Sequence, residues 1–321
     1  MAARLWRERR AVDVLWLNEL SFHDMWPLMA VARLAGINVV LSYEDEHVSL
    51  CTEWPLHFRQ RWFTGLDDRL ADRFLVRRAD AVVVISTYLR DKFAALGARN
   101  LVIVPTIVDV DRWHCAPKVR AGRLRFLYAG SLQGTYVLEE IVGALGRLKA
   151  EGLDFELHVF GDIQKGALMP SLLNLRDELG LQAHMVFANF LTLEELRREI
   201  AQADILLCIR KDTRRSRSGL STKLSECLAT GRPTVTSRVG DAPLYLKDRE
   251  SVLFVPSARV EDIQHTLREC LTDTAMLAQV GAGGLAAAER YFSYRAVGKI
   301  LNGLLARIRP AGGTSAPQKT G

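Results

Sequence analysis

Short apolar runs alternate with amphipathic segments along most of the chain. In the first third, runs rich in Val, Ile and Leu have the length of buried strands, and segments with apolar residues at helical spacing separate them. The predicted strands lie within 12–17, 37–43, 73–86 and 100–106, and the predicted helices are 23–36 and 87–98. This alternation is typical of parallel βαβ units. Residues 52–72 are rich in aromatic residues and arginine, and we predict a helix or loop over the sheet there.

A second series of the same kind follows a segment near residues 109–122, whose proline, glycine and charges are typical of a linker. The predicted strands are 124–130, 155–161, 183–189, 204–210 and 251–256, and the predicted helices are 137–152, 169–181, 192–203 and 260–273. Thr192 and Glu195 have the spacing of a capping box at one helix start. Because crossovers between parallel strands are right-handed, each half should be a doubly wound sheet that binds ligands beyond the carboxyl ends of its strands.

Length, charge and cysteine content narrow the function classes. A chain of 321 residues favours two domains, and a net charge of +6 favours anionic partners such as phosphates, acidic lipid surfaces or nucleic acid. The five cysteines are scattered and never spaced CxxC, which argues against a disulfide framework or a zinc site. No run approaches the roughly 18 apolar residues of a membrane span, and Asp13, Asn18 and Glu19 interrupt any signal-peptide core. We therefore expect a cytoplasmic protein.

The segment "LSTKLSECLATGRPTV" (220–235) predicts a short helix followed at once by a strand. Ser221 and Thr222 can cap the helix start through their hydroxyls, and Gly231 suits the left-handed position that ends it. Lys223 and Glu226 lie on a face away from the core. One interpretation is that the helix N-terminus and Lys223 bind a diphosphate while Glu226 binds a pair of ribose hydroxyls. The other is an exposed ion pair contributing under about 1 kcal/mol.

Further candidates lie beside this helix. Gly130 and Ser131 follow a predicted strand and would let the backbone approach phosphates closely. In "RKDTRRSRSGL" (210–220), Arg210 at a strand end and Arg217 near Gly219 could contact a diphosphate, or could equally be solvated. For Arg214 and Arg215 of the same segment we prefer a solvated loop.

In the first half, "YEDEH" (43–47) follows a strand. Glu44 and Asp45 could orient acceptor hydroxyls or act as a base, and a plain polar loop is an equal alternative. His23 is predicted to be a cap or a surface residue. The "DVD" of 109–111 imitates a metal-binding motif, but in the linker it should only cap a turn, so we assign no metal.

The segment 220–235 resembles the donor-site segment of GT-B glycosyltransferases, particularly family 4. Its neighbours agree in order: "RFLYAGSL" (125–132), "LHVFGD" (157–162) and "LFVPSARVEDIQHTL" resemble the strands of the donor domain, and "YFSYRAVGKILNGLL" (291–305) is similar to the terminal helix. The resemblance covers nearly all of residues 12–305. It implies two Rossmann-like domains facing across a cleft, with a nucleotide sugar as substrate, no cofactor, no metal and retained anomeric configuration.

The resemblance also predicts domain boundaries. The N-terminal acceptor-side domain is expected at 1–118 and the donor-binding domain at 119–290. A C-terminal helix at 291–308 should cross back to the first domain, and 309–321 should be a disordered tail.

The sequence departs from the family pattern in several places. The N-terminal domain is expected to be incomplete, without the usual glycine-rich loop. Ser218 stands where most members have the first of two glutamates, and the second is Glu226. Ser131 and the "QGTY" stretch replace the usual arginine and lysine, and Glu44 takes the position of an acceptor-side histidine.

The resemblance thus implies a glycosyltransferase that moves a sugar from a nucleotide donor to a glycan or lipid-linked acceptor. A catalytically impaired relative that only binds nucleotide sugars, or acts as a partner subunit, is the alternative. A dehydrogenase is disfavoured because no GxGxxG follows a predicted strand, and no motif supports nucleic-acid binding. Basic and aromatic residues of 52–78 suggest peripheral contact with an acidic membrane surface, with a buried aromatic core as the alternative. They are Trp54, Arg59, Arg61, Trp62, Phe63, Arg77 and Arg78.

Overall fold

The computed structural model of the chain describes residues 1–18, 21–46, 58–116, 118, 122–132 and 137–308. It divides into two compact units: unit 1 comprises Met1–Pro105 with Val297–Gly321, and unit 2 comprises Thr106–Ala296.

Strands and helices alternate through both units. The strands are β1 Val14–Asn18, β2 Asn38–Tyr43, β3 Ala81–Val84, β4 Leu101–Ile103, β5 Leu124–Ala129, β6 Phe155–Phe160, β7 Met185–Ala188, β8 Ile205–Cys208, β9 Thr234–Ser237 and β10 Leu253–Val255. The helices are α1 Ala2–Glu8, α2 Phe22–Leu34, α3 Phe58–Leu70, α4 Thr87–Ala95, α5 Val110–Trp113, α6 Leu138–Ala150, α7 Met169–Glu178, α8 Leu193–Gln202, α9 Arg214–Ser218, α10 Thr222–Ala229, α11 Ala242–Tyr245, α12 Val260–Thr272, α13 Thr274–Ala287 and α14 Tyr294–Ile308.

Unit 1 contains a parallel sheet of order β1-β2-β3-β4. One sheet face packs on α2 and the segment after α3, with Met25, Leu41 and Val82 fully buried. The other face receives α14, whose Leu304 and Ile308 pack against Val40 and neighbouring strand residues. Parallel strands covered on both faces explain why the strand segments read as continuous apolar runs.

Unit 2 contains a parallel sheet of order β10-β9-β8-β5-β6-β7. Its direction of winding reverses between β5 and β8, as in a doubly wound Rossmann-like sheet. The larger core lies between one sheet face and helices α6, α7 and α12, and includes Phe126 and Tyr128 of β5. Leu127, between them in sequence, points to the opposite face with Ile200 of α8. The prediction of two α/β domains built from parallel sheets is therefore confirmed.

Several local predictions are also confirmed. The Thr192–Glu195 capping box is present in both directions at the start of α8. Gly231 ends α10 with a φ of +74°. Asp109 caps α5, since its carboxylate accepts the backbone N–H of Arg112 at 3.3 Å.

One local prediction in unit 2 is wrong. The segment around Arg214 and Arg215 is not a loop but helix α9, which starts because the Thr213 hydroxyl accepts the backbone N–H of Ser216 at 3.1 Å. The linker near residues 109–122 stays a prediction; it contains helix α5, whose Val110 is buried in a local apolar cluster.

Candidate nucleotide site

The winding of the unit 2 sheet reverses between β5 and β8, and the two strands end side by side. Gly130 follows β5 directly, and Arg210 follows the end of β8 by two residues. The crevice outside such a reversal point is where open α/β sheets bind their ligands. Helix α10 follows β8 after the short helix α9 and supplies Lys223 and Glu226. The topology therefore brings the main sequence candidates of unit 2 to one edge of the sheet.

Among the residues that the structure describes, no side chain caps the start of helix α10. Ser221 occupies the N-cap position, but its hydroxyl makes no capping hydrogen bond and lies 3.9 Å from the thiol sulfur of Cys208. The expected capping role of Ser221 is therefore wrong. Thr222, in the first turn, is exposed. A helix start that its own N-cap side chain leaves uncapped can offer backbone N–H groups to an anion.

Lys223 reaches from α10 over the end of β5. Its ammonium nitrogen lies 4.3 Å from the centroid of the Tyr128 ring and 3.4 Å from the Tyr128 hydroxyl. The same nitrogen would be 2.0 Å from a Cβ atom built on Gly130, so it fills space that only glycine leaves open. Burial lowers the pKa of Lys223, Arg210 lowers it further, and Cys208, Cys227 and Glu226 oppose both effects.

Glu226 lies one helical turn after Lys223 and is partly buried. Burial raises the pKa of its carboxyl group, and the charge of Lys223 opposes that shift. Both residues line a cavity of about 240 Å³ together with Gly130. The remaining lining is almost entirely apolar: Trp113, Leu127, Ala129, Phe160, Phe190, Leu191, Leu196, Ile200, Leu206, Leu207 and Cys227. The picture of a fully solvated Lys–Glu pair does not fit this burial.

Arg210 lines a smaller neighbouring cavity with Gly219 and Ser221. Its backbone is fixed by Ser237, whose hydroxyl accepts the Arg210 N–H at 2.6 Å and donates to the Arg210 carbonyl at 2.7 Å. The Nε atom of the guanidinium is buried and has no hydrogen-bond partner within the part of the chain that the structure describes. A buried guanidinium donor without a partner calls for an acceptor such as a ligand oxygen.

Other predicted residues lie differently. Arg217 is exposed, and its guanidinium binds both carboxylate oxygens of Asp212, at 2.6 and 2.8 Å. Ser131 is exposed, and its carbonyl accepts the Tyr128 hydroxyl at 2.6 Å. Ser218 is buried and donates to the Arg215 carbonyl at 3.0 Å. The polar groups of Arg217 and Ser218 therefore form hydrogen bonds with residues nearby in the chain.

In unit 1, Glu44 and Asp45 lie beyond the carboxyl end of β2. Glu44 is exposed, and Asp45 is partly buried and accepts the backbone N–H of Glu46 at 2.9 Å. The sequence did not single out Glu46 and Lys92 as a pair. Glu46 is buried, and the Lys92 ammonium lies 2.8 Å from its carboxylate and 2.8 Å from that of Asp72. His47 lies outside the described residues.

His23 also has a partner that the sequence did not reveal. Its ring nitrogen Nδ1 lies 3.1 Å from the carboxylate of Asp67, which also accepts the backbone N–H of Phe22 at 2.7 Å. The hydrogen bond with Asp67 raises the pKa of His23. His23 itself is exposed, as predicted, while the capping group at this helix start is Asp67 from α3.

Family models match both units of the chain. Residues 1–106 match the glycosyl transferase 4-like domain, and residues 123–273 match the glycosyl transferases group 1 domain. The chain is 28% identical over 257 residues to a GDP-mannose-dependent alpha-(1-6)-phosphatidylinositol monomannoside mannosyltransferase of Mycolicibacterium smegmatis. That alignment covers 76% of this chain and 66% of the relative, so just under two thirds of the relative's length is matched.

Several solved structures have the same fold. Sucrose-phosphate synthase of Thermosynechococcus elongatus has a TM-score of 0.71 and 16% identity, covering 95% of this chain and 76% of its own. Anabaena HepE in complex with UDP has a TM-score of 0.72 and 16% identity, covering 95% and 82%. A glycosyltransferase of Rickettsia africae has a TM-score of 0.76 and 12% identity, covering 97% and 81%.

One further property concerns membranes: within the described residues, every helix is too short or too polar to span a bilayer.

The order of strands, the family models and the structural likenesses all agree. The chain belongs to the GT-B glycosyltransferases of the family 4 type.

Proposed function

We propose that the protein transfers a sugar from a nucleotide-sugar donor to a glycan or lipid-linked acceptor, with retention of the anomeric configuration and without a metal ion. One observation carries the proposal. Lys223, Glu226 and Gly130 line a single cavity at the point where the winding of the unit 2 sheet reverses. The cation and the glycine, which lets the backbone approach closely, suit a diphosphate, and the carboxylate suits the ribose hydroxyls of a nucleoside.

The diphosphate would lie at the start of α10. Breaking the bond between sugar and phosphate leaves extra negative charge on the diphosphate, and fixed positive groups stabilise that charge. Lys223 supplies an ammonium, and the helix start supplies backbone N–H groups and the positive end of its dipole. Arg210, with its buried Nε lacking a partner among the described residues, is the second cation. It would take the part of the arginine or lysine that other family members carry after β5.

The nucleoside would extend into the apolar cavity. Glu226 lines this cavity, and its ionised carboxylate can accept hydrogen bonds from both ribose hydroxyls. The lining beyond it, which includes Phe160, Phe190 and Leu191, is suited to the flat faces of a nucleobase. The mycobacterial relative depends on GDP-mannose, and HepE was solved with UDP, so guanine and uracil are both to be tested.

The family resemblance supports the proposal that the anomeric configuration is retained. In such a reaction the departing phosphate assists deprotonation of the acceptor hydroxyl, and positive groups on the protein take the place of a metal. Glu44 and Asp45, at the carboxyl end of β2, would orient the acceptor. Anomeric analysis of the product by NMR, with and without EDTA, tests both features.

Calorimetry with UDP, GDP and ADP tests nucleotide binding directly. Replacing Glu226 by Ala should cost about 1.5–3 kcal/mol of binding free energy, the usual range for hydrogen bonds to a charged group. Glu250→Ala is the matched control, because Glu250 forms an exposed i,i+3 pair with Lys247. Equal affinities of the two variants would return Glu226 to the solvated interpretation.

Transfer assays separate the enzyme from a catalytically impaired binder. An enzyme transfers the sugar or slowly hydrolyses the donor, whereas a pure binder does neither. Ser218 in place of the first family glutamate makes this comparison necessary, because its hydroxyl already donates to the Arg215 carbonyl.

The acceptor-side unit would approach a lipid-linked acceptor at an acidic membrane surface on the cytoplasmic side. Phe63 is 64% exposed and Phe74 is 42% exposed, and the Arg78 guanidinium lies 5.8 Å from the Phe74 ring centroid. Arg77 donates to the Leu96 carbonyl at 2.6 Å. Trp54 lies outside the described residues, as do the side chains of Arg59, Arg61 and Trp62.

Liposome flotation tests this membrane contact. Exposed aromatic residues beside arginines should favour anionic vesicles, and Phe63→Ser with Phe74→Ser should weaken binding. Equal flotation with neutral vesicles, or none with either, would contradict the proposal.

A further inference from the structure

Tyr128 is the last residue of β5 that points into the main core of unit 2, and it is 1% exposed. Its hydroxyl donates a hydrogen bond of 2.6 Å to the carbonyl of Ser131, three residues later. That bond closes the turn through Gly130, whose own N–H donates to the Phe160 carbonyl at 2.8 Å. The tyrosine therefore ties the strand end to the turn that faces the proposed diphosphate.

The same tyrosine contacts the cation of the site. The Lys223 ammonium lies 4.3 Å from the ring centroid and 3.4 Å from the hydroxyl. Gly130 borders the ammonium on another side, because a Cβ atom there would lie 2.0 Å from the nitrogen. A lysine side chain has many rotamers, and contacts of this kind hold it in a restricted set of them.

We propose that Tyr128 is a positioning residue that holds the Lys223 ammonium and the Gly130–Ser131 turn in the arrangement that binds the diphosphate. Tyr128 would not contact the ligand itself and would affect binding only through these two groups. The ring keeps the ammonium above the end of β5, and the hydroxyl keeps the Ser131 carbonyl turned toward the core and away from the phosphates. A ligand then meets a cation that is already in place, which avoids the entropy of ordering it during binding. The inference rests on the proposed function.

Two substitutions separate the ring from the hydroxyl. Tyr128→Phe keeps the ring contact with Lys223 and removes the hydroxyl contact, that is, the bond to the Ser131 carbonyl and the longer one from the Lys223 ammonium. Affinity for UDP or GDP should therefore fall roughly 5-fold, as expected for about 1 kcal/mol of hydrogen bonding. Tyr128→Leu removes both contacts and should lower affinity on the order of 30-fold. Phenylalanine should therefore recover much of what leucine loses.

Phe126→Leu is the matched control. Phe126 is buried in the same core and points to the same sheet face two residues earlier, away from the turn. It should lower thermal stability as Tyr128→Leu does, while leaving diphosphate affinity unchanged. Calorimetry measures UDP and GDP, and ligand-observed NMR measures uridine and guanosine.

The expected result is a loss confined to the diphosphates, with nucleoside binding unaltered in both Tyr128 variants. Wild-type affinity in Tyr128→Leu would overturn the inference while leaving nucleotide binding intact. An equal loss of nucleoside and diphosphate binding, or an equal loss in Phe126→Leu, would also overturn it, because it would indicate a purely structural role. Failure of the wild-type protein to bind UDP and GDP would overturn the proposed function as well.

Discussion

The carboxyl ends of the two parallel sheets carry lysines in opposite settings. In unit 1, the Lys92 ammonium lies 2.8 Å from the carboxylates of both Glu46 and Asp72 and forms ion pairs with these two buried groups. In unit 2, the Lys223 ammonium rests on a tyrosine ring and a glycine beside an open cavity. Removing a lysine that pairs with buried carboxylates destabilises a fold, because the carboxylates are left without their cation, whereas a cation that lines a cavity can also contact a bound anion.

The pKa values show the same difference. Burial lowers the pKa of Lys92, but Asp72 and Glu46 outweigh it, so the pKa is raised overall. Burial dominates for Lys223, and its pKa is lowered overall. The fold therefore stabilises the charged form of one lysine and opposes that of the other. A bound diphosphate would add negative charge beside Lys223 and so favour its charged form.

The largest expected effect is on stability in unit 1. Lys92→Met removes the ammonium from two buried carboxylates and should lower the free energy of unfolding by about 3 kcal/mol. Arg90→Met is the control, because Arg90 lies on the same helix in an exposed pair with Asp91, and it should stay within about 0.5 kcal/mol. Denaturant unfolding measures both, and equal small losses would contradict the distinction between the sheet ends.

Lys223→Met should show the reverse pattern. Affinity for the nucleoside diphosphate should fall by about 2 kcal/mol, because a charged hydrogen-bond donor is lost. The free energy of unfolding should change by less than about 1 kcal/mol, because burial already opposes the ammonium. Calorimetry and denaturant unfolding of the same variant measure the two quantities. A loss of stability as large as that of Lys92→Met, with unchanged affinity, would reverse the comparison.

Gly130→Ala should have a smaller effect on binding. The new Cβ would meet the Lys223 ammonium and displace it, lowering diphosphate affinity by about 1 kcal/mol. Gly152→Ala is the control, since Gly152 also has a positive φ, of +83°, but among the described residues only its own chain neighbours would lie within 4 Å of a Cβ atom there. Both variants should lose stability through backbone strain, and calorimetry should separate them. Identical affinities would show that the ammonium adapts freely.

The smallest effect is on the pH dependence of nucleotide binding. Binding requires a charged Lys223, whose pKa is lowered. As the pH rises, affinity should therefore begin to fall at a lower pH than it would with an ordinary lysine. It also requires an ionised Glu226, whose pKa is raised, so affinity should weaken on acidification at a higher pH than an ordinary glutamate would give. Cys208, Cys227 and Arg210 face Lys223 and shape the alkaline limb.

Calorimetry across pH measures this profile. Glu226→Gln should remove the acid limb, and Lys223→Arg should shift the alkaline limb upward, because arginine remains charged. A flat profile in the wild-type protein would show that neither group titrates in binding.

The strands and most helices were predictable because parallel strands buried on both faces leave continuous apolar runs between amphipathic segments. The position of Lys223 and Glu226 on α10 followed from local spacing. Helix α9 was missed because the prediction weighed its arginines and overlooked the Thr213 cap, which is visible in the sequence as a threonine before a polar run. The family resemblance supplied the functional reading that spacing alone left open.

Contacts distant in sequence could not be predicted. Tyr128 and Lys223 are 95 residues apart, and Glu46 and Lys92 are 46 apart, so neither pair leaves a local pattern. Tyr128 appeared only as one more aromatic residue at the end of a strand. The pair of Arg217 and Asp212 is different, because the two residues are only five positions apart and the sequence analysis did not consider it.

A crystal structure of the protein with its tightest-binding nucleoside diphosphate tests the central claim most directly. The account predicts phosphate oxygens within hydrogen-bonding distance of the Lys223 ammonium and the first backbone N–H groups of α10, with the ribose hydroxyls on the Glu226 carboxylate. A nucleotide bound at another place, with Glu226 facing bulk solvent, would contradict it.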